Sequence, residues 1–211
     1  MNQTLHIFLL HGLGAQGDDL APVGRLLVEQ ANLAPGTYEI HTPEAPSVPV
    51  TVNNGYVMPS WFDIYGLDRT APVDEAGIQA AVDKMTRLIE QRIGDQPFVI
   101  GGFSQGGVVA LRTAMATVRP PLGVLLLSTW LPARALFAVP SDRLTLPVFI
   151  GHGTQDDVIP HTSADSTAAH LRALGMTAVT QHSYAMEHSI IPDELADMAD
   201  WLSNLSAAAS A

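Results

Sequence analysis

The sequence predicts an α/β fold, a mainly parallel central sheet with helices on both faces. Three observations carry that expectation. Short apolar runs alternate with longer amphipathic stretches along the chain. Several of the short runs are apolar throughout, as strands covered on both faces must be. One of them enters a helix through a glycine-rich turn built around a serine.

The elements follow in order. His6 to Leu10 reads as the first strand. Leu20 to Ala31 reads as a helix, with Leu20, Val23, Leu26 and Leu27 at helical spacing. Tyr38 to Thr42 reads as a strand. Residues 43–72 are rich in Pro, Gly and Asn, without clear periodicity. They hold Trp61, Phe62 and Tyr65, which favours an ordered binding loop. Asp74 to Ile93 reads as a helix capped by Asp74, with Ile78, Ala81, Val82, Met85, Leu88 and Ile89 on one face. Phe98 to Gly101, Gly123 to Leu127 and Pro147 to Gly151 read as buried strands. A helix from Gln105 to about Val118 joins the first two. Ser163 to Leu174 is a further helix, Ala178 to Ser183 the last strand and Asp193 to Leu205 the final helix. Residues 205–211 read as a frayed tail.

Composition bounds the function. A chain of 211 residues suits one domain, here 1–211, and 47% hydrophobic content supplies its core. Twenty-one acidic residues against 10 basic ones give a formal charge of −11. That balance disfavours nucleic acid and anionic membranes as partners. With no cysteine there is no disulfide framework, thiolate metal site or Cys nucleophile. The apolar run Ile7 to Leu10 has no basic region before it and is too short for a signal peptide. No segment approaches the length of a membrane span, so a cytoplasmic protein is expected, and the association state is left open, a homodimer included. No His-Glu-x-x-His helix or close histidine pair with acids at ligand spacing is present, so no metal is expected.

The sharpest local signal is Gly102-Phe103-Ser104-Gln105-Gly106. A nucleophile exposed at a tight strand-to-helix turn needs small residues two positions away on either side. The helix behind it brings backbone N–H groups and a positive dipole end to the reacting centre. The context makes this the nucleophile turn of an α/β-hydrolase fold. The short motif alone also describes a plain turn with a capping serine. Such a site needs two backbone donors for an oxyanion. One falls to Gln105, the residue after the serine. The other falls to Leu13, in His11-Gly12-Leu13-Gly14 after the first strand. His11 itself is expected to be structural.

An acid and a histidine should follow on later loops. The strand at 147–151 runs into a loop with two carboxylates, Asp156 and Asp157. Of eight histidines, His182 and His188 closely follow the start of the last strand. His182 falls within the strand, and His188 in the loop before the final helix. His152 lies on the acid's own loop and reads as a buried histidine bonded to backbone. Glu187 adjoins His188 but points away from it in extended chain.

Six blocks now stand in order: Leu10-His11-Gly12-Leu13-Gly14, Met58-Pro59-Ser60-Trp61-Phe62-Asp63, Asp74-Glu75-Ala76-Gly77-Ile78, Gly102-Phe103-Ser104-Gln105-Gly106-Gly107, His152-Gly153 with Asp156 and Pro160, and Glu187-His188. Over about residues 6–203 the chain resembles the phospholipase/carboxylesterase family, which includes acyl-protein thioesterases and small bacterial carboxylesterases. The resemblance implies Ser104, Asp156 and His188 as a triad, with Leu13 and Gln105 as oxyanion donors. It implies that the 58–67 loop borders an acyl-binding groove, with Trp61 as groove wall or core anchor, and Trp130, Leu131 and Pro132 as a second groove segment. It implies a serine carboxylesterase acting on small ester or thioester substrates without a cofactor. An acyl-protein thioesterase, a lysophospholipase and a catalytically silent binding module are the alternatives. Ala15, Thr154 and Asp157 depart from the family's usual residues.

Overall fold

A computed structural model describes residues 3–66 and 71–209. Six strands form one sheet: β1 (Leu5–Leu10), β2 (Tyr38–His41), β5 (Phe98–Phe103), β6 (Gly123–Leu127), β7 (Val148–Gly153) and β8 (Val179–Tyr184). Their order is β2-β1-β5-β6-β7-β8, and every neighbouring pair is parallel. The helices are α1 (Ala21–Gln30), α2 (Glu75–Ile93), α3 (Gln105–Ala116), α4 (Thr162–Ala173) and α5 (Pro192–Ala209).

Strand periodicity sends alternate residues into two cores. Phe8, Leu10, Ile100, Leu126 and Ile150 join residues of α2, α3 and α4 on one face. Ile7, Leu9, Val99, Leu125 and Phe149 join residues of α1 and α5 on the other. Both faces are covered, so the central strands read as continuous apolar runs. Asp74 caps α2 as expected, accepting a hydrogen bond from the Gly77 N–H at 2.9 Å. Because all six strands run the same way, the loops after β1, β5, β7 and β8 emerge at one edge of the sheet.

Several expectations are corrected. The 43–72 stretch is not wholly irregular. Ser47–Val50 (β3) and Tyr56–Pro59 (β4) pair antiparallel as a small separate hairpin. Pro49 and Pro59 obscure the strand pattern, although Asn54-Gly55, both with positive φ, is a hairpin-turn signal. Residues 67–70 of that loop lie outside the described residues. Leu26 is 46% exposed, because the buried stripe of α1 is Gly24, Leu27 and Val28. α5 continues to Ala209, past Leu205; the remainder of the expected frayed tail, residues 210–211, lies outside the described residues. The absence of any histidine pair near an acid holds along the chain but not in space. Register places His6 opposite Glu39 and brings His41 beside them. Among the described residues, no helix is long and apolar enough to cross a membrane.

Candidate active site

Ser104 sits where β5 becomes α3, with φ 53° and ψ −120°, a conformation L-residues avoid. Three hydrogen bonds hold it there. Its N–H donates to Leu127 O at 2.9 Å, and its carbonyl accepts from Thr129 Oγ1 at 2.6 Å and the Gly107 N–H at 3.0 Å. Strain of this kind persists only where surrounding contacts over-determine it. The flanking glycines are required by close approach. A Cβ on Gly102 would meet the Gly106 carbonyl, and one on Gly106 would meet the Leu10 carbonyl.

Gln105 is fully buried, and its side chain has a part that the sequence did not disclose. Its Oε1 accepts from the Trp61 N–H at 3.0 Å. Its Nε2 donates to Ser60 Oγ at 3.0 Å and to Phe62 O at 2.7 Å. The residue after the serine thus fastens the 60–62 segment to the nucleophile turn. Trp61 is correspondingly an anchor and not a groove wall. It is 4% exposed and its Nε1 donates to His11 O at 2.9 Å, while its neighbour Phe62 lines the cavity. His11 is structural as expected: Nδ1 bonds Gly12 O at 2.8 Å and Nε2 accepts from the Ala45 N–H at 3.0 Å. In the same loop the Gly14 N–H donates to Pro59 O and the Ala15 N–H to Gly12 O. These backbone bonds leave the Leu13 N–H uncommitted among the described residues.

Asp156 is buried and Asp157 exposed. Asp156 Oδ1 accepts from the Val158 and Ile159 N–H groups at 3.0 and 2.7 Å. Its Oδ2 lies 2.7 Å from His188 Nδ1 and 3.3 Å from His152 Nε2. With Nδ1 engaged by the carboxylate, Nε2 of His188 is the nitrogen left for chemistry. The Phe103 ring packs on the imidazole, centroids 4.6 Å apart. The acid and histidine loops are joined by bonds from the Thr154 N–H to Tyr184 O and from the Gln155 N–H to Met186 O. Thr154 adds a hydroxyl bond to Tyr184 O at 3.1 Å. His152 is fully buried and bonds Ile159 O at 2.8 Å; burial lowers its proton affinity. His182 is engaged elsewhere, 3.2 Å from Asp197.

Ser104, His188 and Leu13 line one open cavity of about 700 Å³, within the usual size of small-molecule clefts. Its walls are mostly apolar and include Phe62, Ile64, Val73, Trp130 and Leu131. Ala15, one of the departures from the family's usual residues, lines it as well.

Residues 2–206 match the family described as Phospholipase/Carboxylesterase. The chain is 37% identical to an acyl-protein thioesterase 1 of Mycosarcoma maydis over 219 aligned residues, covering 94% of this chain and 90% of the relative. A solved structure of Zea mays acyl-protein thioesterase 2 superposes with a TM-score of 0.86 at 27% identity, covering 97% of this chain and 95% of that one. The structure of Arabidopsis thaliana SOBER1 superposes with a TM-score of 0.84 at 29% identity, covering 96% and 99% respectively.

Proposed function

The chain belongs to the phospholipase/carboxylesterase family and is an esterase or thioesterase hydrolase; from that premise we propose that it is a serine carboxylesterase using Ser104, His188 and Asp156. The observation that carries this reading is the 2.7 Å pairing of His188 Nδ1 with Asp156, beside an apolar cavity that Ser104 also lines. Ser104 Oγ attacks the ester carbonyl carbon while His188 Nε2 takes its proton. Asp156 holds the tautomer and stabilises the imidazolium. The N–H groups of Leu13 and Gln105 receive the oxyanion; one such donor is typically worth about 3 kcal/mol. The tetrahedral intermediate collapses, the C–O bond breaks, and His188 returns the proton to the leaving alkoxide. Water, activated by the same histidine, then releases the acid and restores the serine.

Short to medium acyl esters are the proposed substrates, and the cytoplasm the proposed compartment. A chain without cysteine relies on no oxidising environment. The mostly apolar cavity and the thioesterase relatives support a second reading, hydrolysis of thioesters on acylated proteins. Fluorophosphonate labelling with peptide mapping tests the nucleophile: the label is expected on Ser104 and absent from Ser104→Ala. Labelling elsewhere, or full p-nitrophenyl butyrate hydrolysis by that variant, overturns the assignment. A series of oxygen esters and thioesters from acetyl to palmitoyl then separates the two readings.

A further inference from the structure

Away from the catalytic cavity, strand pairing alone assembles a cluster of ligating side chains. β2 is the edge strand and runs parallel to β1, with His6 opposite Glu39 and Phe8 opposite His41. Residues 39 and 41 share one face of β2, two apart. His6 Nδ1 lies 2.8 Å from His41 Nε2, and Glu39 Oε2 lies 3.7 and 3.8 Å from those nitrogens. The ring planes differ by 11° and the centroids are 5.1 Å apart. With the nitrogens so close, the rings meet edge to edge, the N–H of one pointing at the lone pair of the other.

We propose that His6, Glu39 and His41 form a binding site for a divalent transition-metal ion, zinc foremost. A point equidistant from the three ligand atoms lies about 2 Å from each, the length of zinc bonds to imidazole and carboxylate. The ion displaces the N–H···N hydrogen bond. That proton moves to the far nitrogen of its own ring, and the rings part by about half an ångström to reach tetrahedral spacing. Each imidazole, in its neutral form, offers the ion one ring nitrogen, and Glu39 one carboxylate oxygen. Phe8 packs on the His41 ring at 4.4 Å and fixes its plane. His6 is buried, whereas the Glu39 side chain is 57% exposed, which opens the fourth position to solvent. Glu39 supplies the negative charge; Arg92, at the end of α2, is the cation whose field opposes it. An ion held here ties the edge strand to its neighbour, and it binds only the folded pairing.

The test is calorimetric titration of tag-free, chelator-treated protein with ZnCl2, together with absorption spectra of the Co²⁺-loaded form. One equivalent is expected to bind with an accompanying rise in Tm. Glu39→Gln and His41→Gln are expected to weaken binding by about tenfold or more. His188→Ala is expected to retain it, which separates this site from an ion on the catalytic histidine. Glu39 is exposed, so Glu39→Gln keeps the test valid should replacement of a histidine disturb the fold. No uptake by the wild type, or equal affinity in Glu39→Gln and His41→Gln, overturns the proposal.

Discussion

His188 Nδ1 stands 2.7 Å from Asp156 Oδ2, whose partner oxygen is held by two backbone N–H groups at 3.0 and 2.7 Å. One buried carboxylate therefore both closes its own loop and orients the imidazole. Asp156→Asn should lower kcat by about 10³–10⁴-fold by presenting the wrong partner to Nδ1. Asp157→Asn, on the exposed neighbour, should stay within about twofold of wild type. Steady-state hydrolysis of p-nitrophenyl butyrate compares them, and equal losses would remove Asp156 from the site.

His152 touches the same carboxylate from behind, its Nε2 3.3 Å from Asp156 Oδ2 and 2.8 Å from Ile159 O. Ile159 O can only accept, so Nε2 carries the proton. The ring thereby backs the carboxylate that orients His188. His152→Leu, which has no donor, should lower kcat/KM by about tenfold while the protein stays folded. Steady-state kinetics with a thermal melt measures both, and wild-type kcat/KM in that variant would mean that His152 serves packing alone.

Gln105 links the nucleophile turn to residues 60–62 through three hydrogen bonds. Gln105→Ala leaves the buried Trp61 N–H without its acceptor, takes from the Phe62 carbonyl one donor while Ser60 Oγ remains, and opens a void. A loss of about 2–4 kcal/mol in stability is expected. Urea denaturation measures it, with kcat/KM falling alongside because the cavity wall at Phe62 loosens. A variant as stable as wild type would show that the amide is dispensable.

Glu194 is fully buried against Gly151 of β7, and neither carboxylate oxygen has a partner among the described residues. Burial, with Asp197 adding repulsion, pushes its pKa to about 8 from 4.5. The folded state keeps a proton that the unfolded chain releases above about pH 4.5, so stability declines as pH climbs toward 8. Glu194→Gln should remove that slope. Near pH 5 the two proteins should match, and near pH 8.5 the variant should be more stable by on the order of 3–5 kcal/mol. Parallel urea curves at pH 5, 7 and 8.5 decide it; identical slopes in both proteins would exclude a protonated Glu194.

Elements with a strong local signature were legible in the sequence. Gly123 to Leu127 matches β6 end to end, because a strand covered on both faces shows its burial in every residue. The turn at Ser104 was legible because backbone crowding there tolerates only glycine at 102 and 106. The β3–β4 hairpin was hidden by prolines in short strands that join no large sheet. Asp156 and Asp157 are equivalent to any local rule, and it is their burial that distinguishes them.

The order of apolar runs, the glycine-flanked serine and the later carboxylates and histidines determined an α/β sheet and a short roster of reactive groups. Periodicity and backbone sterics act over a few residues, and both are written locally in the chain. Tertiary structure decided which side chains meet. Parallel pairing brought residue 188 to residue 156 and residue 6 to residues 39 and 41. It also turned Trp61 inward onto Gln105 and left Glu194 without a hydrogen-bond partner among the described residues. Those outcomes depend on register and on what covers each face. Both arise from contacts between segments remote in sequence, so no local pattern specifies them.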